Sequence, residues 1–204
     1  PMFHCNGWGH AWTMTALAGT MFCTRAIVPE AIFSAILEHN ISHFGGAPIV
    51  LSMLLNSPAA KDFSCPHRVE LMTAGAPPPA SVVQGIENLG FNVTQVYGLT
   101  ETYGHTVMCT WNSDWDNLDE EARAKLKARQ GAAMVQTAGM RIVDMESRED
   151  VPADGQTIGE ILIRGNTVMK GYLKDADNTA ASFKNGWFHT GDLAVMHPQG
   201  YAEI

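Results

Sequence analysis

Residues 69–96 carry the pattern that most limits the fold. Val69–Thr73 and Phe91–Val96 are short strand-like runs. Between them lies a helix-length segment, about Ala80 to Leu89, closed by Gly90. Strands alternating with helices imply a parallel, doubly wound sheet. The alternation extends upstream. Pro29 at a first helical position opens a helix to about His39, with Ile32, Phe33, Ile36 and Leu37 on one face. Ile41–Phe44 reads as a short strand, and Gly45–Pro48 turns it into a helix over Ile49–Leu55 that ends at Asn56-Ser57-Pro58. Further back, Met2-Phe3 reads as a strand end, Gly9–Phe22 as a buried helix and Arg25–Val28 as a short strand.

The character changes near residue 112. Asn112–Gln130 is rich in charge, with Leu118, Ala122, Leu126 and Arg129 at heptad-like spacing. It reads as a surface helix capped by Asp116 or Asn117. After Gly131 the pattern is β-rich, with strands expected at Met140–Val143, Thr157–Ile163, Asp192–Val195 and from Tyr201 onward. Asp154-Gly155 and Pro198-Gln199-Gly200 are turn signals, and one short helix is expected at about Asp175–Phe183. The expected class is α/β: a doubly wound, mostly parallel sheet subdomain over 1–130, followed by a small β-barrel-like subdomain over 131–204.

The 204 residues suffice to bury a sizeable core. A net charge of −8 argues against a nucleic-acid partner or an anionic membrane surface, both of which call for a basic patch. No apolar run is long enough for a membrane span. Cys5, Cys23, Cys65 and Cys109 are widely spaced and read as free thiols in a reducing compartment. His39/His43, Cys65/His67 and His105/Cys109 each lack a second pair at zinc spacing. There is no GxxxxGK[ST], no GxGxxG and no GxSxG.

Four stretches carry candidate chemistry. In Gln95-Val96-Tyr97-Gly98-Leu99-Thr100-Glu101, Tyr97 suits stacking on a base, Gly98 a close backbone approach, Thr100 donation to a phosphate and Glu101 a hard cation such as Mg²⁺. The plain alternative is a tight turn with a core Tyr and a solvated Glu. Thr73-Ala74-Gly75-Ala76-Pro77 offers exposed backbone and small side chains at the carboxyl edge of a parallel sheet, where such sheets bind ligands; it also reads as a Pro-rich helix entry. In Trp187–Asp192, the Asp192 carboxylate suits two vicinal hydroxyls, or caps its own turn. At the amino end, Phe3–Trp8 sets His4 and Trp8 around Gly7, as an acyl-pocket lining or as buried aromatics. Gly159–Gly165, followed by Gly171-Tyr172, reads as purely structural.

The order PMFHCNGW, TAGAPPP, QVYGLTETYG, GEILIRG…GY and WFHTGDLA resembles the AMP-forming acyl-CoA synthetases of the adenylate-forming superfamily. The acyl-activating enzymes of plants and bacterial ligases for short and medium acids, including methylmercaptopropionate, are most alike. The resemblance implies a carboxylate attacking the α-phosphate of ATP, then coenzyme A displacing AMP. It implies that Gly75, Ala76 and Pro77 flank the adenine, and that Gln95 and Tyr97 border it. It further implies that Thr100 contacts the α-phosphate, Glu101 binds Mg²⁺ and Asp192 holds the ribose. His4, Trp8 and Gly75 would line the acyl pocket. Val96 stands where relatives often have Gly.

The resemblance also implies that the phosphate-loop region and the carboxyl-terminal lid domain lie outside these residues, so that this portion alone is expected to be inactive. The expected partners are ATP, Mg²⁺, coenzyme A and a short- or medium-chain or aromatic acid, with homodimerisation left open. The expected location is the cytoplasm, or the peroxisome in a eukaryote. Two other readings are a nucleotide-binding homologue without turnover and an adenylation domain that serves a carrier protein.

Overall fold

The structure, a computed structural model, describes residues 4–204, without the side chains of Cys5 and Asn6; the expected strand end at Met2-Phe3 lies outside the described residues. In chain order the elements are α1 (Cys5–Trp8), α2 (His10–Ala16), α3 (Pro29–His39), β1 (His43–Gly45), α4 (Pro48–Asn56), β2 (Val69–Thr73), α5 (Ala80–Asn88) and β3 (Phe91–Leu99). Then come β4 (Gly104–Met108), α6 (Glu120–Lys127), β5 (Ala132–Ala133), β6 (Thr137–Val143) and β7 (Ile158–Gly165). The last are α7 (Ala176–Ser182), β8 (Phe183–Lys184), β9 (Trp187–Met196) and β10 (Ala202–Glu203). Two compact units emerge: Phe22–Val96 with Cys109–Arg129, and Pro1–Met21 with Tyr97–Met108 and Gln130–Ile204.

The first unit is the parallel one. β1 pairs with β2 and β2 with β3, all parallel, with Leu71 opposite Val93. The connections are helical, as the alternation predicts. Pro29 and Pro48 start α3 and α4, where a missing N–H costs nothing. Asn40 at φ 51° ends α3, and Gly90 at φ 97° follows α5. Ile32, Phe33, Ile36, Leu51, Leu54, Val69, Leu71, Val83, Ile86, Phe91 and Val93 form its core. Phe63 stacks on Phe33 at 4.2 Å between centroids.

Four expectations change here. Leu37 does not share the buried face of α3; it is half exposed. No strand forms at 25–28. The charged helix starts later than expected, because the Asp119 carboxylate accepts from Ala122 N at 2.8 Å and so caps α6. Asn112 instead caps a separate 3₁₀ turn, Ser113–Trp115, and α6 turns Ala124 and Lys127 inward while Leu118 is exposed.

The second unit is antiparallel and curled. Its sheet runs β10-β9-β7-β6, with β8 also on β9, while β4, the neighbour of β3 in the order β1-β2-β3-β4-β5, pairs antiparallel with β5. Val107, Ile142, Val151, Ile161, Ile163, Ala194 and Ala202 form its core. Of the buried helix expected at 9–22 only α2 (His10–Ala16) forms, and it buries nothing; α1 lies before it, set off by Trp8 at φ 56° and Gly9 at φ 72°. Asp175 caps α7 through Asn178 N at 3.1 Å.

The tight turn offered as the plain reading of 95–101 falls later, after Leu99. Tyr97 and Gly98 lie in β3, and a 3₁₀ turn at Thr100–Thr102 leads into β4 rather than into a helix. Gly98 permits this, since a Cβ there would sit 1.7 Å from the Gly104 carbonyl oxygen. The close approach at Gly98 is thus to the chain itself.

Candidate functional site

Thr102 holds the turn after β3. Its hydroxyl accepts from Leu99 N at 2.9 Å and donates to the Gly104 carbonyl at 2.8 Å. That arrangement leaves Thr100 exposed and Glu101 half-buried. The Glu101 carbonyl accepts from Met169 N at 2.7 Å, and its carboxylate accepts from the Tyr172 hydroxyl at 3.0 Å. Thr100 and Glu101 present hard oxygens, and one carboxylate joined by substrate phosphates is how Mg²⁺ is commonly held. Among the described residues no cluster of three or more His, Cys, Asp or Glu could hold a metal by itself.

Asp192 is placed by a β-bulge. Leu162 of β7 faces His189 of β9, but Glu160 faces Leu193, so Thr190, Gly191 and Asp192 stand opposite Ile161 alone. Gly191 sits at φ 77°, a conformation that favours glycine. The Thr190 hydroxyl donates to the Ile161 carbonyl at 2.8 Å and accepts from Asp192 N at 3.1 Å. Asp192 then accepts from the Tyr97 hydroxyl at 2.6 Å. Burial, and after it the Asp192 carboxylate, push the Tyr97 phenol well above its ordinary value, so it stays a donor.

The bulge rests on a residue that the sequence reading assigned to pure structure. Glu160 Oε1 accepts from Gly191 N at 3.2 Å. Its Oε2 meets His189 Nδ1 at 2.9 Å and Arg148 at 3.3 Å. The available signal was a lone acid beside the apolar run Ile161-Leu162-Ile163.

Gln95 and the 73–77 loop belong to the parallel unit. Gln95 is buried; its amide donates to the Ala76 carbonyl at 3.3 Å, while Oε1 has no hydrogen-bond partner among the described residues. A buried acceptor left so is costly, and an exocyclic amine would satisfy it. Gly75, Ala76 and Pro77 are exposed, with Gly75 at φ 93°.

At the amino end His4 is exposed and Trp8 half-buried. The Trp8 ring meets His105 of β4 edge-on at 5.1 Å, a contact that the sequence did not suggest. Burial, then the nearby His10, push the His105 imidazole down to about 4. Phe3 lies outside the described residues.

Residues 1–173 match the model of the AMP-binding enzyme family. The acetate–CoA ligase CCL3 of Humulus lupulus is 48% identical over the whole chain, and the peroxisomal acetate/butyrate–CoA ligase AAE7 of Arabidopsis thaliana is 45% identical. The chain spans 36% of the length of each. Among solved structures, the N-terminal domain of FACL13 from Mycobacterium tuberculosis superimposes with a TM-score of 0.83 at 24% identity, covering all of this chain and 48% of that one. The ATP-bound RpMatB-BxBclM chimera B3 gives 0.82 at 25% identity, covering all of this chain and 38% of that one. A family model that spans most of the chain, and relatives close to half identical along all of it, make this chain a member of the AMP-binding enzyme family.

Proposed function

We propose that the protein to which these residues belong is an AMP-forming acid–thiol ligase. It joins a short- or medium-chain or aromatic carboxylic acid to coenzyme A through an acyl-adenylate. Residues 1–130 carry the acyl-pocket and adenine loops, and residues 131–204 the ribose-binding Asp192. Gly75, Ala76, Pro77, Gln95 and Tyr97 border the adenine, with Gly98 shaping the strand. Thr100 meets the α-phosphate, Glu101 holds Mg²⁺, Asp192 takes the ribose hydroxyls, and His4, Trp8 and Gly75 line the acid's pocket. Chemistry at phosphorus of this kind needs positioning and charge neutralisation rather than a protein nucleophile. A cytoplasmic or peroxisomal location fits, and no described helix is long and apolar enough to cross a membrane.

The observation that carries the reading is the hydrogen bond from Tyr97 to Asp192, which joins two residues assigned separately to base and ribose. Of the carboxylate, Oδ2 is used; Oδ1 makes none of the described hydrogen bonds and is available for a hydroxyl. The test is acid- and Mg²⁺-dependent pyrophosphate release by the full-length protein, across straight-chain acids from propanoate to decanoate and benzoates. Release with none of them defeats the reading. Asp192→Ala should weaken ATP binding by at most about 3 kcal/mol, the size of a hydrogen bond to a charged group. Residues 1–204 alone should not form thioester, which the same assay checks.

A further inference from the structure

We propose that Glu160 is a positioning residue for the nucleotide: it acts through the Thr190-Gly191-Asp192 bulge and touches no ligand itself. This inference rests on Asp192 holding the ribose. A bulge removes backbone groups from the β ladder, and each N–H it frees must find another partner to stay fixed in place. Here the Gly191 N–H is taken by Glu160 Oε1 at 3.2 Å. The other carboxylate oxygen takes His189 Nδ1 at 2.9 Å, one residue before the bulge starts. One side chain therefore fixes the bulge's middle and its entry, while the Thr190 hydroxyl fixes the Asp192 N–H.

The choice of residue is informative. Glu160 is only 9% exposed, and its strand neighbours Ile161, Leu162 and Ile163 are all buried. Burying a carboxylate there is costly. Arg148 at 3.3 Å and His189 offset part of that cost. A regular ladder would need no such group. What the carboxylate secures is a strand irregularity whose one outward consequence is the direction of the Asp192 carboxylate toward the Tyr97 hydroxyl.

The experiment uses the full-length enzyme and calorimetric binding of ATP and of 2′,3′-dideoxy-ATP, which lacks both ribose hydroxyls. Wild-type protein should prefer ATP, and Asp192→Ala should abolish the preference. Glu160→Gln should lower ATP affinity about tenfold and dideoxy-ATP affinity less than about twofold, matching one charged hydrogen bond lost at the ribose. His189→Leu should do the same, and His189→Asn, whose amide nitrogen can stand where Nδ1 stood, should restore most of the preference. Combined with Asp192→Ala, Glu160→Gln should add nothing further. Should Asp192→Ala erase the preference while Glu160→Gln and His189→Leu weaken both nucleotides equally, or neither, Glu160 is a structural ion-pair partner and the inference fails. Should Asp192→Ala itself leave the preference intact, the ribose reading fails and takes this inference with it.

Discussion

Each unit sets one glutamate against a cation and a backbone N–H: Glu160 is buried, and Glu87 is half-buried beside the buried Lys127. In the parallel unit Glu87 accepts from Val93 N at 3.2 Å and from Lys127, whose ammonium also donates to Asn92 at 3.0 Å and lies 5.3 Å from the centre of the Trp111 ring. In the antiparallel unit Glu160 accepts from Gly191 N, His189 and Arg148. The donor chemistry is almost the same, yet the backbone held is different. Val93 stands in regular parallel register opposite Leu71, so Glu87 fastens α5, β3 and α6 into one core. Gly191 stands in a bulge, so Glu160 fixes a departure from regularity. A buried ion pair thus reports function only when the geometry it maintains is one that the sheet would not adopt unaided.

The largest effect that separates the two clusters is expected from Lys127→Ala. It removes a buried side chain and takes the ammonium away from both half-buried Glu87 and Asn92, and should cost about 2 kcal/mol in denaturant unfolding. Nucleotide affinity of the folded protein should not change. A matching loss of ATP affinity would erase the distinction drawn between the clusters.

The units also diverge in their response to pH. His105 of the antiparallel unit is pushed by burial, then by His10, from 6.5 down to about 4. Its unfolded form binds the proton more readily, so stability is lost as pH falls from 6.5 towards 4. In the parallel unit burial raises the Cys65 thiol to about 11 and the Cys109 thiol to about 12, both from 9.0. Here the unfolded form loses the proton first, so stability is lost as pH rises through 9 towards 12. Urea titrations across pH should show His105→Gln flattening the acid side alone and Cys109→Ala the alkaline side alone. Identical slopes in wild type and variants would remove this contrast.

The smallest effect concerns how α6 is delivered to its cluster. Asp119→Ala removes the cap from Ala122 N and should cost about 1 kcal/mol by thermal denaturation. A loss as large as that of Lys127→Ala would mean that the start of α6, rather than the buried charge, governs this region.

What could be read from the sequence follows the same division. β2 and α5 were placed nearly to the residue, because alternating apolar positions, prolines and Gly90 act locally. Leu37, Leu118 and the 9–22 stretch show the limit of that method: an apolar side chain is not by that fact buried. The motifs at 73–77, 95–101 and 187–192 were visible as separate pieces. Their hydrogen bonds were not, since Tyr97 and Asp192 meet only once β9 is bulged against β7, and register between distant strands leaves no local trace. Glu160 had a trace, a charge among isoleucines, but its partner was a backbone N–H that exists unpaired only because of the bulge.

The bulge sets three residues of β9 against one of β7, an excess of two. An even excess preserves the alternation of faces, which is why Phe188 before it and Ala194 after it are both buried. Insertions and deletions here should therefore obey a parity rule. Losing Gly191 alone would turn Asp192–Met196 over, carrying Ala194 to solvent and exposed Leu193 inward. Losing two residues would shorten the strand without inverting it. Length variation in this strand is thus expected to be inherited in pairs.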